Sequence, residues 1–261
     1  MAILERRDDG AVAHLRLNSP DNLNALSDAM LAALDDAFVA LATDANIRVV
    51  ILSGAGKAFC AGHDLRELAA KRRANDGGAA ALQDLFNRCA QVMQAIPALP
   101  QPVIAQVHGI ATAAGCQLVA SCDMAIAADD TRFGVNGVNI GLFCSTPMVA
   151  LSRNVPRKQA FEMLTSGAFI TAARAAELGL INHAVPGDTL ADETQALART
   201  VAAKLGSAVR IGKRAFYEQL ELPLSAAYAH TGAVMVENMA HPDTAEGIDA
   251  FLQKRPPRWA Q

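Results

Sequence analysis

PVIAQVHGIATAAGCQLVASCD, residues 102–123, reads as a strand over Val103 to Val107, a turn at Gly109 and a short helix from about Gly115. The apolar strand Met124 to Ala127 follows at once, so the order strand, turn, helix, strand is packed into very few residues. The polar Gln117 is aimed into the small-residue turn. A second stretch, Ala58-Phe59-Cys60-Ala61-Gly62-His63-Asp64-Leu65, also ends a strand in small residues. Two such turns suit a pair of backbone N–H groups converging on one carbonyl oxygen, the arrangement of an oxyanion hole for a thioester.

Upstream, Ile3 to Arg7 and Val12 to Leu17 pair as a hairpin around Asp8-Asp9-Gly10. Ser27 caps an amphipathic helix to about Thr43, with Met30, Leu31, Leu34, Phe38 and Leu41 at helical spacing. Val49-Val50-Ile51-Leu52 is too apolar for a half-exposed strand and reads as a buried parallel one. A second helix is expected over Leu82 to Ile96, and the charged segment Lys71 to Gly78 before it as a mobile loop able to act as a lid. Beyond Pro156 helical patterns dominate. A boundary near Pro186 to Asp188 divides the chain into an α/β core, 1–187, and a helical region, 188–261.

The chain's 261 residues, 52% hydrophobic and 19% charged, are enough for a large buried core. A net charge of −3 with dispersed basic residues gives no footprint for nucleic acid. No apolar run approaches a membrane span, so neither nucleic acid nor membrane is an expected partner. Five cysteines, Cys60, Cys89, Cys116, Cys122 and Cys144, form no CxxC pair. They indicate neither a zinc site nor a disulfide framework, and a reducing cytoplasmic location is expected. His14, His108, His183, His230 and His241 are scattered without metal-ligand spacing, so no metal is expected. Gly54-Ala55-Gly56-Lys57 is too short for a phosphate-binding P-loop and lacks its Ser or Thr. A G-x-S-x-G nucleophile elbow and a dinucleotide fingerprint are both absent.

Together these segments resemble the enoyl-CoA hydratase/isomerase family, also called the crotonase family, over almost the whole chain. The matching pieces are Asn22 to Leu26, Phe59 to Leu65, Pro102 to Asp123, Phe133-Gly134, Asn139 to Leu142, Leu164 to Gly167 with Ala172 to Leu180, and Gly247 to Arg255. ATAAGCQLVASCD and GLFCSTP are further similar to a subgroup of enoyl-CoA hydratase domain-containing proteins. The resemblance implies an α/β spiral of β-β-α turns in two roughly perpendicular sheets. It also implies C-terminal helices that join three subunits, with trimers pairing into hexamers.

Carried over by position, the resemblance places the oxyanion-hole amides on His63 and Ala114, and the two catalytic glutamates on Gln117 and Gly137. Both glutamates are therefore missing. Glutamine can hold a water but has no useful pKa, and glycine can do neither job. For coenzyme A, carried as part of the substrate and not as a separate cofactor, the resemblance implies Asn24, Ala25 and Lys57, then Ala61, His63, Asp64 and Leu65. Phe251 and Lys254 are implied to reach a neighbouring subunit's nucleotide. Asp64 and Glu67 also read as caps of the helix after the turn, and the His63 ring as facing solvent, with an imidazole role as its alternative.

Three functions remain open. The first is an enoyl-CoA hydratase-like lyase or isomerase with enolate stabilisation intact and altered acid/base groups, Gln117 positioning water or substrate. The second is a non-catalytic acyl-CoA binding or regulatory subunit. The third is a thioester hydrolase using Cys144 or Ser145, where the start of a helix at Pro147 would lower a thiol pKa.

Overall fold

The computed structural model describes residues 2–259. Its N-terminal hairpin joins β1 (Leu4–Asp9) to β2 (Val12–Leu17) antiparallel, with Leu4 opposite Leu17 and Asp9 opposite Val12. The helix α1 (Asp28–Ala42) starts where Ser27 accepts a hydrogen bond from the Met30 amide. The five apolar residues read from its spacing are all buried. After it come β3 (Val49–Gly54), α2 (Leu65–Lys71) and α3 (Ala79–Ala98).

From there the chain winds in repeated turns. β4 (Val103–Val107), β5 (Ile110–Thr112) and α4 (Ala114–Ser121) make one; β6 (Met124–Ala128), β7 (Arg132–Gly134) and α5 (Pro147–Asn154) make the next. β4 pairs parallel with β6, and β5 parallel with β7, as successive coils of a spiral must. α6 (Arg157–Ser166), β8 (Ile170–Thr171), α7 (Ala172–Glu177) and β9 (His183–Val185) complete the core. The large sheet runs β1-β2-β3-β4-β6-β9 and the small one β5-β7-β8.

β3 lacks alternation because both of its faces are covered. Val50 and Leu52 join the main core with Leu31, Leu34 and Phe59, whereas Val49 and Ile51 pack with Ile104 and Ala198. Ala198 belongs to α8 (Leu190–Ala202). The expected division at 187/188 thus falls before a helix that is itself part of the core, burying apolar surface at roughly 25 cal/mol per Å².

α9 (Gly206–Leu220) is anchored at the amino ends of β4 and β6. Lys213 Nζ donates to the carbonyls of Ile96 and Gln101 and to Asp123 Oδ2, at 2.8, 2.9 and 2.7 Å. Tyr217 donates to Asp123 Oδ1 at 2.7 Å. α10 (Leu224–Met239) and α11 (Pro242–Leu252) follow. Phe216, Leu220, Leu224, Tyr228, Met235 and Val236 on α9 and α10 are exposed, an apolar surface too extensive for scattered singles.

The expected lid is built differently. Lys71 closes α2 and pairs with Asp28 at 2.6 Å, while Asp76 accepts the amides of Gly78 and Ala80. Residues 72–78 form a hydrogen-bonded corner between α2 and α3.

Candidate active site

Two chain segments meet beyond the carboxyl ends of β3 and β4, the end of a parallel sheet where ligands bind. Cys60 bridges to Ala111: its amide donates to Ile110 O at 3.2 Å, and the Thr112 amide donates back to Cys60 O at 3.1 Å. A side chain at Gly115 would collide with the Cys60 carbonyl. Gly62, at φ +88, approaches so closely that a β-carbon there would lie 3.0 Å from Thr112 O and 3.2 Å from the Ala114 nitrogen. The amides of His63 and Ala114 flank this contact, and neither has a hydrogen-bond acceptor among the described residues.

Ala114 is the first residue of α4, whose opening amides are unsatisfied by the helix itself. Ala113 before it adopts φ 49 and ψ −119, glycine territory, and is held there by its own amide donating to Gly134 O at 2.9 Å. Such a backbone costs of order 1–3 kcal/mol. The Ala114 nitrogen that follows this turn lies beside Gly62.

Gln117 stands one turn along α4, on the same face as Ala114. It is 5% exposed, and its Oε1 has no partner among the described residues. An unmet buried amide of this kind costs about 1–3 kcal/mol, so a bound polar group or water at Gln117 is stabilising.

Gly137 lies in the turn Asn136–Ile140, and a β-carbon there would run into the Leu142 carbonyl and sit 2.9 Å from Cys144 Sγ. The space that a glutamate would need is filled. Cys144 is 6% exposed, and burial pushes its thiol up, only partly offset by the Gly137 amide. That corrects the expectation of an activated thiol: proximity to the start of α5 does not outweigh desolvation. Ser145 is exposed, its hydroxyl 3.4 Å from Phe143 O.

His63 also differs from expectation. Its ring does not face solvent but meets Phe86 edge-on, centroids 5.6 Å apart, with Nδ1 3.4 Å from Leu26 O. Nε2 is buried without a partner among the described residues, and burial lowers the imidazole pKa below its ordinary 6.5. Phe86 carries no motif and is missed by the sequence; its spacing with Leu82 and Cys89 on one face of α3 is the only signal.

The side chain of Asn24 acts as a clamp within the fold. Fully buried, it accepts the Ser19 amide at 2.9 Å and donates to Ala55 O and Ala58 O, both at 2.8 Å. Ala25 beside it is buried too. Asp64 caps α2 through the amides of Arg66 and Glu67, at 2.8 and 3.3 Å. Ala61 is half-buried, its amide on Leu23 O at 3.0 Å; Lys57 and Leu65 are exposed. Phe251, 83% exposed, and Lys254 face solvent at the end of α11. Among the described residues no group of His, Cys, Asp or Glu side chains is placed to hold a metal ion, and no helix is long and apolar enough to cross a membrane.

A β-β-α spiral with two converging loops of free amides defines the crotonase class of fold. The family model for enoyl-CoA hydratase/isomerase matches residues 7–261, and the chain belongs to that family. It is 53% identical to an enoyl-CoA hydratase of known structure from Mycobacterium smegmatis, with a TM-score of 0.95 and 99% of each chain covered. It is 46% identical to human enoyl-CoA hydratase domain-containing protein 3, mitochondrial, over 98% of this chain and 82% of that protein. It is 35% identical to 2,3-dehydroadipyl-CoA hydratase of Escherichia coli, over 93% and 92%. The cytoplasmic expectation is corrected by the human relative and its vertebrate counterparts, which are named as mitochondrial.

Proposed function

We propose that this protein binds acyl-CoA thioesters and stabilises the enolate form of the bound acyl group through the amides of His63 and Ala114. The close approach of Gly62 to the Ala114 nitrogen carries the reading, because it sets the unengaged amide of the next residue, His63, beside that of Ala114. Donors fixed before reaction favour the charged oxygen without reorganisation, and each contributes about 3–4 kcal/mol. Gln117 then positions water or the substrate, without titrating. Coenzyme A enters as part of the substrate, along the Ala61–Leu65 backbone with Lys57 near a phosphate, and no separate cofactor is required.

The relationship to proteins named as hydratases supports an enoyl-CoA hydratase-like reaction, with acid/base groups other than the two glutamates. A non-catalytic acyl-CoA binder is the second reading, favoured by the filled space at Gly137. A thioester hydrolase at Cys144 has little support, since desolvation disfavours the thiolate. The exposed apolar face of α9 and α10 supports a homotrimer, with the region beyond 188 supplying much of the interface.

Calorimetric titration with CoA and several acyl-CoAs tests the binding. Crotonyl-CoA is then followed for loss of enoyl absorbance and for release of free thiol. Ala114→Pro deletes one donor, but proline disfavours the φ 49 of the preceding Ala113 and crowds Gly62, so the variant's fold is checked by circular dichroism, and the folded protein should bind the thioester less tightly. Undiminished acyl-CoA binding by a folded Ala114→Pro variant, or no binding by the wild type, removes the basis of the proposal.

A further inference from the structure

We propose a second binding site, for a phosphate group, in the cleft between the segment entering β3, the start of α9 and the start of α11. The cleft holds a cavity of about 350 Å³ whose polar lining is Asn46, Arg48, Ser207, Arg210, His241 and Asp243. That is the size of a small-molecule site. Arg48 immediately precedes β3, whereas Gly62 and His63 lie beyond its other end, so the cleft is separate from the acyl-CoA loops. The inference does not depend on what those loops bind.

Most of the polar lining donates. α9 is 15 residues long, Leu205 before it supplies no side-chain cap, and the amides of Ser207 and Ala208 in its first turn find no acceptor among the described residues. Ser207 is only 5% exposed, yet its hydroxyl has no partner among the described residues, a cost that a bound acceptor removes. The helix dipole adds partial positive charge at the same place. Arg210 follows Ser207 by three residues, on the same side of α9, and its guanidinium makes no hydrogen bond or ion pair among the described residues. Arg48 spends Nη1 on Ala202 O at 3.0 Å, which steadies its stem and leaves the other donors of the fork. The Asp243 amide donates to His241 Nδ1 at 3.3 Å, so the ring hydrogen sits on Nε2, a further donor.

The acidic groups nearby are already engaged. Asp243, 6% exposed, has a partner within the fold, and Asp44 in the loop before β3 is paired with Arg6 at 2.6 Å. Lys204 joins Arg48 and Arg210 along a narrow recess of the cleft, so cations outnumber carboxylates on its walls. Guanidinium forks, a hydroxyl and helix amides reaching in from separate elements suit a tetrahedral oxyanion better than a planar carboxylate with two oxygens. A phosphate group held there would tie α9 and α11 to the entry of β3.

The full chain is titrated by calorimetry with inorganic phosphate and, separately, with ribose 5-phosphate, in chloride buffers of matched ionic strength. Thermal unfolding is followed in the same solutions. The wild type is expected to bind, and its midpoint to rise with phosphate concentration, as a ligand of the native state requires. Arg210→Ala, at an exposed position, should weaken binding about 10- to 100-fold, the worth of a hydrogen bond to a charged group. Ser207→Ala should weaken it about 10-fold and separates the buried site from loose attraction to surface cations. Acyl-CoA affinity should be unchanged in both variants. Tighter binding of ribose 5-phosphate assigns the cleft to a phosphate ester, and tighter binding of inorganic phosphate to the free ion. Binding of neither compound, the same midpoint in chloride at matched ionic strength, or undiminished phosphate affinity in either folded variant overturns the site.

Discussion

A β-carbon built on Gly62 would lie 3.2 Å from the backbone nitrogen of Ala114, although the two residues are far apart in sequence. Gly62→Ala therefore meets two penalties: a left-handed backbone, about 1–2 kcal/mol for an L-residue, and intrusion beside an oxyanion donor. Chemical denaturation should show the first. Turnover of crotonyl-CoA should show the second as a loss of up to about 10²-fold, since one donor is worth about 3 kcal/mol to the charged oxygen, with a smaller fall in affinity by titration.

Ala113→Gly should act in the opposite direction on stability. At φ 49 and ψ −119 the alanine is strained by about 1–3 kcal/mol, and glycine relieves this at an entropic cost of roughly 0.5–1 kcal/mol. A net gain of about 1 kcal/mol is expected in the denaturant midpoint, with acyl-CoA affinity unchanged. A loss of stability would mean that the Ala113 torsion is not strained.

Restoring a glutamate at 137 should fail on its own. The side chain must displace the Leu142 carbonyl and the Cys144 thiol, so Gly137→Glu should lower stability by about 1–3 kcal/mol, as overpacking does, without a gain in hydration of crotonyl-CoA. Adding Cys144→Ala removes the sulfur contact but not the carbonyl one, and should recover part of the stability. A stable, faster Gly137→Glu variant would show that the 137–145 turn opens readily.

Lys213→Met should destabilise the fold by about 3–5 kcal/mol, because it leaves the Asp123 carboxylate and two backbone carbonyls around a missing cation. Thermal unfolding measures this. The node lies at the amino ends of the strands, so acyl-CoA affinity of the folded fraction should be unaffected.

Acid should weaken the fold through two histidines. Burial holds His14 and His63 below their ordinary 6.5, so the unfolded chain takes up protons first. Stability is full above 6.5 and declines as pH falls below it toward the native values. Denaturant titrations on either side of that pH should show the decline, and His63→Gln should reduce its slope.

Local signals carried most of the fold. The Ser27 cap, the spacing from Met30 to Leu41 and the unbroken apolar run of β3 all reflect contacts that a few neighbouring residues specify. The small-residue turns at 61–63 and 113–115 were legible as points of close approach for the same reason. Asn24 was not, because its side-chain carbonyl partners lie 31 and 34 residues away, on the far side of a helix and a strand. Cys144 misled for a related cause: the helix start is local, whereas the burial that governs its thiol comes from the packed 137–145 turn. The His63 ring depended on Phe86 and Leu26, both distant in sequence.

The amides at 63 and 114 are not encoded by any side chain, so nearly every codon change at those positions, proline apart, passes without altering the charge they present. Positions 117, 137 and 144 enjoy no such insulation. A lineage can thus drift through many side-chain chemistries here while its attraction for the same ligand oxygen persists, and reaction type can diverge faster than what is bound.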